Sequence, residues 1–468
     1  MPAARTCPAC RTASPSRPGD PLCPACTRAA RQAVPCPLWP FDSLLMRRVL
    51  AEVNAPAVVA VFRAATGLSQ TDVAAMAGWS RAALSYYEHG QRGAVFDIRV
   101  LLGFTDAVAM PREALLPLVL GDTGEMDTEV DRRSFTGLAA GAALAAMLPE
   151  AAVPSRVTAS HVKYLQASLG TLWTREGLAG GRAILPPALR QWQLAQRMLR
   201  HSSYIETVGR QLLIAAGYLA DVSAWAAYDA ADLSLARRLY IDALDLATSA
   251  GDSALTGWVL QNYANLCCYQ ASHTASVDWD SRDAARQAVS LSDRAIEEAR
   301  YEPAPWLQVR IALRHADAAS LTGNPAGFRS AIARAQRELD RAPGIEEPQW
   351  VKGFTVGPDL ITTAQATGAA NLGDLPGAET VYQELLARRL LPRTRVFLGA
   401  RLAGVQLAQN AQRDALATGR AVLDMVEGGV TSTRTLNELR PVRAAAGESG
   451  DEEFCARFDA AERALSAA

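Results

Sequence analysis

Apolar residues recur three or four positions apart, the spacing of one face of a helix, from about residue 157 to the end of the chain. Gly, Asp, Asn and Pro interrupt this pattern at short intervals, as they do where helices end and turns begin. Convincing alternation of apolar and polar residues, the pattern of a strand, occurs nowhere in the sequence. The sequence therefore predicts an all-α fold, with residues 157–468 as a domain of many helices.

Small residues return at fixed helical positions within this domain. The spacing i, i+4, i+7 recurs in LARRLYIDALDLA, ARQAVSLSDRAIEEA, GFRSAIARAQREL and GAETVYQELLARR. Small side chains let two helices approach closely, and stacked helix pairs then bury a continuous core. The pattern resembles tetratricopeptide repeats, although its units are spaced more widely than the ideal period. The resemblance implies an α-solenoid, and an irregular helical bundle is the alternative.

Four cysteines near the N-terminus have the spacing C-x2-C-x12-C-x2-C. They are Cys7, Cys10, Cys23 and Cys26. Two intervening residues let both thiolates of a pair reach one ion, and two such pairs make a tetrahedral sulfur site that suits structural Zn2+. A segment as short as residues 1–40 cannot bury enough apolar surface to fold alone, so the ion would stabilise it. We predict a zinc knuckle over 1–40 that contacts DNA phosphates, binds a protein or caps the next domain.

The segment GLSQTDVAAMAGWSRAALSYYEHG contains the capping and turn residues expected of two short helices. Ser69 is a good N-cap for the first helix, and Gly78 marks a tight turn. Ser80 can cap the second helix, which Gly90 ends. Two short helices around a glycine-containing turn make a helix-turn-helix. An ordinary helical hairpin is the alternative.

The motif SQ-x2-VA-x3-G-x-S-x3-L-x3-E-x-G in this segment resembles the Xre/lambda-repressor-type helix-turn-helix family over about residues 56–121. We accordingly assign a DNA-binding domain to 50–121. The resemblance implies that the second helix enters the major groove of double-stranded DNA, where its first residues reach base edges. It implies DNA contacts by Gln70, Thr71, Ser80, Arg81, Ala82, Ser85, Tyr86 and Arg92, with Gln70 on a phosphate and Arg81 and Ala82 on bases.

Charge supports this interpretation only locally, because the whole chain carries a formal net charge of −1. Residues 1–55 hold seven arginines against three acidic residues, whereas residues 56–121 hold five of each. DNA affinity must therefore come from individually placed residues, from the basic N-terminal arm and from dimerisation. We expect a homodimer, since two half-sites multiply specificity.

Residues 122–156 read as a linker, and Gly121–Asp131 as a hinge where the two halves rearrange. Arg132 and Arg133 precede an apolar run, as in a twin-arginine export signal, but such signals are N-terminal. The run is also too short to span a bilayer. The first residues lack an apolar signal segment, so we expect a cytoplasmic protein without a membrane partner.

One helical face in the repeat domain carries candidate ligand-binding residues. Trp258, Asn262, Asn265 and Tyr269 recur at i, i+4, i+7 and i+11. Asn amides can bind a peptide backbone, and the aromatic rings offer contact area. Peptide-sensing bacterial regulators join the same two modules, so the resemblance implies a peptide or small ligand here. The alternative is a packing face between repeats.

Enzyme motifs do not occur in the sequence. The two lysines, Lys163 and Lys352, lie outside any phosphate-binding loop, and neither H-E-x-x-H, G-x-S-x-G nor G-x-G-x-x-G is present. We therefore expect a transcriptional regulator rather than an enzyme, with a repeat domain that senses a ligand or binds a protein partner. The alternative is an interaction scaffold that does not recognise an operator.

Overall fold

The computed structural model describes residues 6–11, 20–31, 40–41, 43–88, 98–115, 117, 153–273, 281–343 and 356–467. Within these ranges the regular elements are helices, and the only extended pairing is an isolated bridge between Arg156 and Ser203. The predicted all-α fold is confirmed. The predicted hinge Gly121–Asp131 lies outside the described residues, as does the linker 122–156 except for its last four residues.

The first helices are α1 (Pro24–Arg31), α2 (Leu44–Ala51), α3 (Ala55–Thr66), α4 (Gln70–Ala77), α5 (Arg81–Glu88) and α6 (Ile98–Ala107). The described helices that follow are α7 (Ala159–Ala179), α8 (Gly181–His201), α9 (Glu206–Asp229), α10 (Leu233–Ala250), α11 (Ser253–His273), α12 (Ser281–Glu298), α13 (Pro305–Leu321), α14 (Pro325–Arg341), α15 (Pro358–Asn371), α16 (Leu375–Leu386), α17 (Pro392–Ala408), α18 (Gln412–Glu427), α19 (Thr433–Glu438), α20 (Arg440–Glu448) and α21 (Glu452–Ala467).

The chain divides into two compact units. Unit 1 comprises Met1–Ser168 and Arg190–Ala215, and unit 2 comprises Leu169–Leu189 and Ala216–Ala468. Helices α7, α8 and α9 each contribute residues to both units. None of the described helices combines the length and apolarity that a bilayer crossing requires.

The core of unit 1 is built around α3, in which every residue except Ala65 is buried. Its sequence, APAVVAVFRAAT, is apolar on all sides, as expected of a helix enclosed by its neighbours. The ring of Phe62 lies at the centre, with centroid distances of 5.7 Å to Phe41, 5.6 Å to Phe104 and 5.7 Å to Tyr164. These contacts fix α3 as the support on which the neighbouring helices of unit 1 pack.

Unit 2 is a row of helix pairs. Consecutive helices pack on each other in the pairs α11–α12, α13–α14, α15–α16 and α17–α18, and the first helices α11, α13 and α15 also contact one another in turn. The small residues that the sequence places at helical spacing lie in these contacts: Ala288, Ser292 and Ala295 of α12 are fully buried. The C-terminal region is therefore repeat-like, as predicted.

Three turns that join a helix to the next one along the chain share the same capping arrangement. Helices α10, α14 and α16 follow the capping residues Asp232, Asn324 and Asp374, and each cap accepts a hydrogen bond from the backbone N–H three residues later. Such caps satisfy a donor that the first helical turn leaves without a partner. The recurrence explains why the same polar turn residues punctuate the sequence between apolar stretches.

Candidate nucleic-acid interface and metal centre

Helices α4 and α5 are joined by a tight, well-capped turn. Ser69 Oγ accepts a hydrogen bond from the N–H of Asp72 at 3.2 Å, and the Asp72 carboxylate accepts one from the N–H of Ser69 at 3.3 Å. Gly78 ends α4 in the left-handed conformation, with φ of +69°. Ser80 Oγ then accepts from the N–H of Ala83 at 3.1 Å and starts α5. Local sequence chemistry thus sets the two ends of α4, the turn and the start of α5.

Helix α5 has one buried face and one exposed face. Leu84 is completely buried, and the mostly buried Tyr87 packs edge-on against Trp79 with 5.2 Å between ring centroids. On the other face Arg81, Ala82 and Tyr86 are exposed, and Tyr86 keeps 55% of its surface accessible. The residues that the sequence predicts to reach bases therefore project away from the core.

The other predicted DNA contacts have mixed surroundings. Thr71 and Ser80 are exposed, and Ser85 is half-buried. Gln70 is also half-buried, and its Nε2 donates a hydrogen bond to Glu88 Oε2 at 2.9 Å. Arg92 lies outside the described residues.

A buried ion pair that the sequence analysis missed holds α5 against α3. Arg63 donates from Nε to Glu88 Oε1 at 2.7 Å and from Nη2 to Glu88 Oε2 at 3.2 Å. Both side chains are more than nine-tenths buried. A two-point contact of this kind fixes orientation as well as distance. The available sequence clue was Arg63 itself, the single charged residue in an apolar helix.

The start of α7 contacts the cap of α4 within unit 1. Lys163 Nζ lies 2.8 Å from Asp72 Oδ1, and Ser160 Oγ donates to the same oxygen at 3.3 Å. Burial favours the neutral form of Asp72, but its hydrogen bonds with Lys163 and Ser69 outweigh that effect and lower the pKa of its carboxyl. The capping carboxylate of α4 is therefore ionised and tied to α7.

His161, next to these residues on α7, is buried in its neutral form. Its Nδ1 accepts from the N–H of Thr158 at 3.1 Å, so the ring proton lies on Nε2, 3.4 Å from the carbonyl oxygen of Ala107. Burial lowers the pKa of His161 to about 4, because the charged ring would lose its solvation.

The four N-terminal cysteines converge. The Sγ atoms of Cys7, Cys10, Cys23 and Cys26 all lie within 4.8 Å of one another, and those of Cys10 and Cys23 are 3.8 Å apart. Ligands about 2.3 Å from a tetrahedral zinc ion are about 3.8 Å from one another, so the cluster has the dimensions of a metal site.

Backbone and solvation also fit a cation at this cluster. The N–H of Cys23 points at Cys7 Sγ and the N–H of Cys26 at Cys23 Sγ, each at 3.5 Å. Burial raises the pKa of the Cys7 and Cys26 thiols, since a thiolate without solvent or counter-charge is unfavourable. A bound cation would supply that counter-charge.

The cysteine knuckle packs onto the helix-turn-helix core. Helix α1 contacts α3, and Arg31 Nε donates to the carbonyl oxygen of Ala64 at 3.0 Å. Asn54, whose Oδ1 caps α3, donates from Nδ2 to the carbonyl oxygen of Pro8 at 3.1 Å. Of the three roles left open by the sequence, these contacts favour capping the next domain.

The predicted ligand-binding face of α11 is split between core and cavity. Trp258 and Asn262 are buried, and both donate to Asp221, from Trp258 Nε1 at 2.7 Å and from Asn262 Nδ2 at 3.0 Å. Asn265 and Tyr269 instead line a cavity in unit 2, to which Trp258 and Asn262 do not contribute. Burial raises the pKa of Asp221 to about 7, against the opposing effect of these hydrogen bonds.

Comparison with known proteins agrees with the geometry of α3 to α6. The profile of a helix-turn-helix domain family matches residues 57–118. No curated protein matches the chain. Residues 57–118 thus match a helix-turn-helix domain, a kind of module that binds DNA, and α5, the second helix of the motif, presents an exposed face.

Proposed function

We propose that the chain is a sequence-specific DNA-binding transcriptional regulator of the Xre type. The observation that carries the proposal is the exposed face of α5, with Arg81, Ala82 and Tyr86 directed away from the core of a helix-turn-helix domain. A helix presented in this way fits the major groove of double-stranded DNA. Arg81 pairs with O6 and N7 of guanine, a contact that contributes about 1–3 kcal/mol of discrimination.

The surrounding residues position α5 on the duplex. Thr71 and Ser80 offer hydroxyl groups to phosphates, which set register without reading sequence. Ser85 and Tyr86 reach the groove beyond Arg81. Gln70, which Glu88 already orients, binds a phosphate at the start of α4. Because the domain is not strongly basic, two copies of the chain on two half-sites supply the remaining affinity.

The knuckle contributes a structural Zn2+ held by Cys7, Cys10, Cys23 and Cys26. All four ligand positions are sulfur, so the ion stabilises the fold and leaves no position for substrate. Because α1 lies against α3, a stable knuckle also stabilises the support of α5. The protein acts in the cytoplasm without an enzymatic step, and its tetratricopeptide-like unit 2 receives a ligand or a protein partner.

Binding of purified protein to its own promoter, followed by fluorescence anisotropy against random duplex, tests the proposal. Arg81→Ala is expected to abolish the preference for the promoter, whereas Arg337→Ala, which removes an exposed arginine of α14, is expected to leave it unchanged. Circular dichroism shows whether both variants stay folded. If the unmodified protein shows no preference at any salt concentration, the regulator proposal fails and the interaction scaffold takes its place.

A further inference from the structure

Unit 2 encloses a cavity of about 450 Å³, which the sequence analysis did not predict. Residues from α7, α9, α11, α13, α15, α17 and α19, and from the turn between α16 and α17, line it. Cavities of roughly 300–1,000 Å³ suit small molecules. The aromatic part of the lining consists of Trp225, Tyr228, Tyr269 and Phe397.

The cavity is rich in arginine. Six arginines line it, against three carboxylates, which are Glu176, Asp317 and Asp359. The arginines are Arg310, Arg314, Arg389, Arg393, Arg401 and Arg434. In a chain whose overall charge is balanced, this concentration of one sign is a local feature of the cavity.

Arg393 contacts one carboxylate of the lining, with its Nε 3.0 Å from Glu176 Oε1. Other carboxylates that pair with these arginines lie outside the lining. Asp229 accepts from Arg393 at 2.9 Å and from Arg434 at 3.2 Å, and Glu438 lies 3.2 Å from Arg401. Neither carboxylate is part of the cavity lining. Because Asp229 and Glu438 lie outside the lining, the surface of the cavity itself carries more arginine than carboxylate.

Two of the arginines stand one turn apart on α13. Like charges at i and i+4 destabilise a helix, so Arg310 and Arg314 oppose each other. Arg310 lies 5.6 Å from the ring centroid of Trp258, and burial, followed by the charge of Arg314, lowers its pKa to about 9. Arg314 Nη1 contacts Asn265 Oδ1 at 2.5 Å and Asp317 Oδ2 at 2.7 Å. An anion in the cavity that reaches both guanidinium groups would add counter-charge to this pair.

Aromatic rings next to the arginines provide a second kind of contact. The guanidinium carbon of Arg434 lies 4.8 Å from the ring centroids of both Tyr228 and Phe397, and that of Arg401 lies 5.4 Å from Phe397. Guanidinium groups over aromatic faces are held rigidly and keep their N–H edges directed outward. The cavity therefore combines preorganised donors with an apolar wall.

We propose that this cavity binds a small organic anion, whose carboxylate or phosphate accepts hydrogen bonds from Arg310 and Arg314 while its apolar part lies against the aromatic wall. The cavity volume admits a small molecule, and the surplus of arginine selects its charge. Binding of the anion does not depend on the proposed regulatory function. Only the interpretation of the bound anion as a regulatory signal rests on that function.

Calorimetry and thermal unfolding of the full-length protein, without DNA, test the inference. The probes are benzoate, phenyl phosphate and the neutral benzamide, at ionic strength matched with chloride. At least one anion is expected to bind and to raise the melting temperature, while benzamide does neither. The anion that binds more tightly distinguishes a carboxylate ligand from a phosphate ligand. If neither anion stabilises the protein beyond chloride, or if benzamide binds equally well, the inference is overturned.

Variants locate the binding. Arg314→Gln is expected to weaken binding at least tenfold, and Arg337→Gln, an exposed arginine outside the cavity, to leave it unchanged. Arg389→Gln, at an exposed position of the lining, serves as a second variant should Arg314→Gln unfold unit 2, and is expected to weaken binding about threefold. Undiminished binding by a folded cavity variant contradicts the assignment. Because DNA is absent, promoter recognition can fail or succeed separately.

Discussion

Units 1 and 2 both bury arginines against carboxylates, but in unit 2 such arginines also line a cavity. In unit 1, Arg63 and Glu88 satisfy each other in the core, beneath a helix whose opposite face is exposed. In unit 2, Arg393 and Arg434 share Asp229 and also line a cavity. The ion pair of unit 1 is a support, whereas the arginines of unit 2 also form part of a cavity surface.

The difference shows where each unit keeps its recognition chemistry. Unit 1 uses its buried charge to orient α5, so recognition depends on exposed side chains such as Arg81. Unit 2 positions arginines by buried carboxylates, so recognition depends on the same side chains that make up the network. A substitution in the network of unit 1 should therefore change DNA affinity through the orientation of α5. A substitution in the network of unit 2 should change ligand binding in the cavity.

Loss of the metal site is expected to have the largest effect on unit 1. Cys23→Ser leaves three thiolates where zinc prefers four, and structural zinc binding contributes on the order of 10 kcal/mol to small knuckles. Stoichiometric zinc should disappear in a colorimetric assay, and the melting temperature of unit 1 should fall. Cys36→Ser, which alters a cysteine outside the C-x2-C pairs, should retain zinc. Unchanged zinc content in Cys23→Ser would contradict the four ligands assigned here.

The second largest effect is the loss of stability expected when a buried carboxylate of either network is neutralised. Glu88→Gln and Asp229→Asn each leave buried arginine without its full counter-charge, which costs about 3–5 kcal/mol when a buried pair is broken. Chemical unfolding should detect both losses. Only Glu88→Gln is expected to weaken DNA binding, because Arg63 and Glu88 hold α5 against α3. Glu52→Gln, at an exposed position, is the matched control in unit 1. Equal loss of DNA affinity in both variants would break the comparison.

Local chemistry made much of unit 1 predictable from the sequence. Ser69, Gly78 and Ser80 define α4 and α5 through hydrogen bonds that span only a few residues. The cysteine spacing likewise determines which thiols share a turn. The ion pair of Arg63 with Glu88 was not predicted, because its two members lie on different helices and apolar periodicity alone does not indicate a buried pair.

The cavity of unit 2 could not be predicted in the same way. Its arginines come from helices far apart in the chain, and their convergence depends on how successive pairs stack. The sequence pattern selected one face of α11, but the position of Asp221 on α9 determines which residues reach the cavity. Trp258 and Asn262 bind that carboxylate in the core, whereas Asn265 and Tyr269 lie at the cavity.

The smallest expected effect is a loss of stability of unit 1 at acid pH, which comes from the buried ring of His161. The pKa of His161 is about 4 in the folded chain, below the ordinary value of about 6.5. Between these values the unfolded chain binds a proton that the folded chain does not, so unit 1 loses stability as the pH falls. The loss between pH 7 and pH 5 should be about 2 kcal/mol, since one pKa unit corresponds to about 1.4 kcal/mol.

Urea unfolding of unit 1 at the two pH values measures this loss. His161→Gln removes the titrating ring, so the difference between wild type and variant isolates its contribution. His201→Gln, an exposed histidine of α8 in the same unit, is the control and should leave the pH dependence unchanged. The contrary outcome is that the difference in stability between wild type and His161→Gln is the same at pH 5 and pH 7. It would show that the ring is not held neutral against Ala107. It would also show that α7 packs on the helix-turn-helix domain less tightly than its contacts indicate.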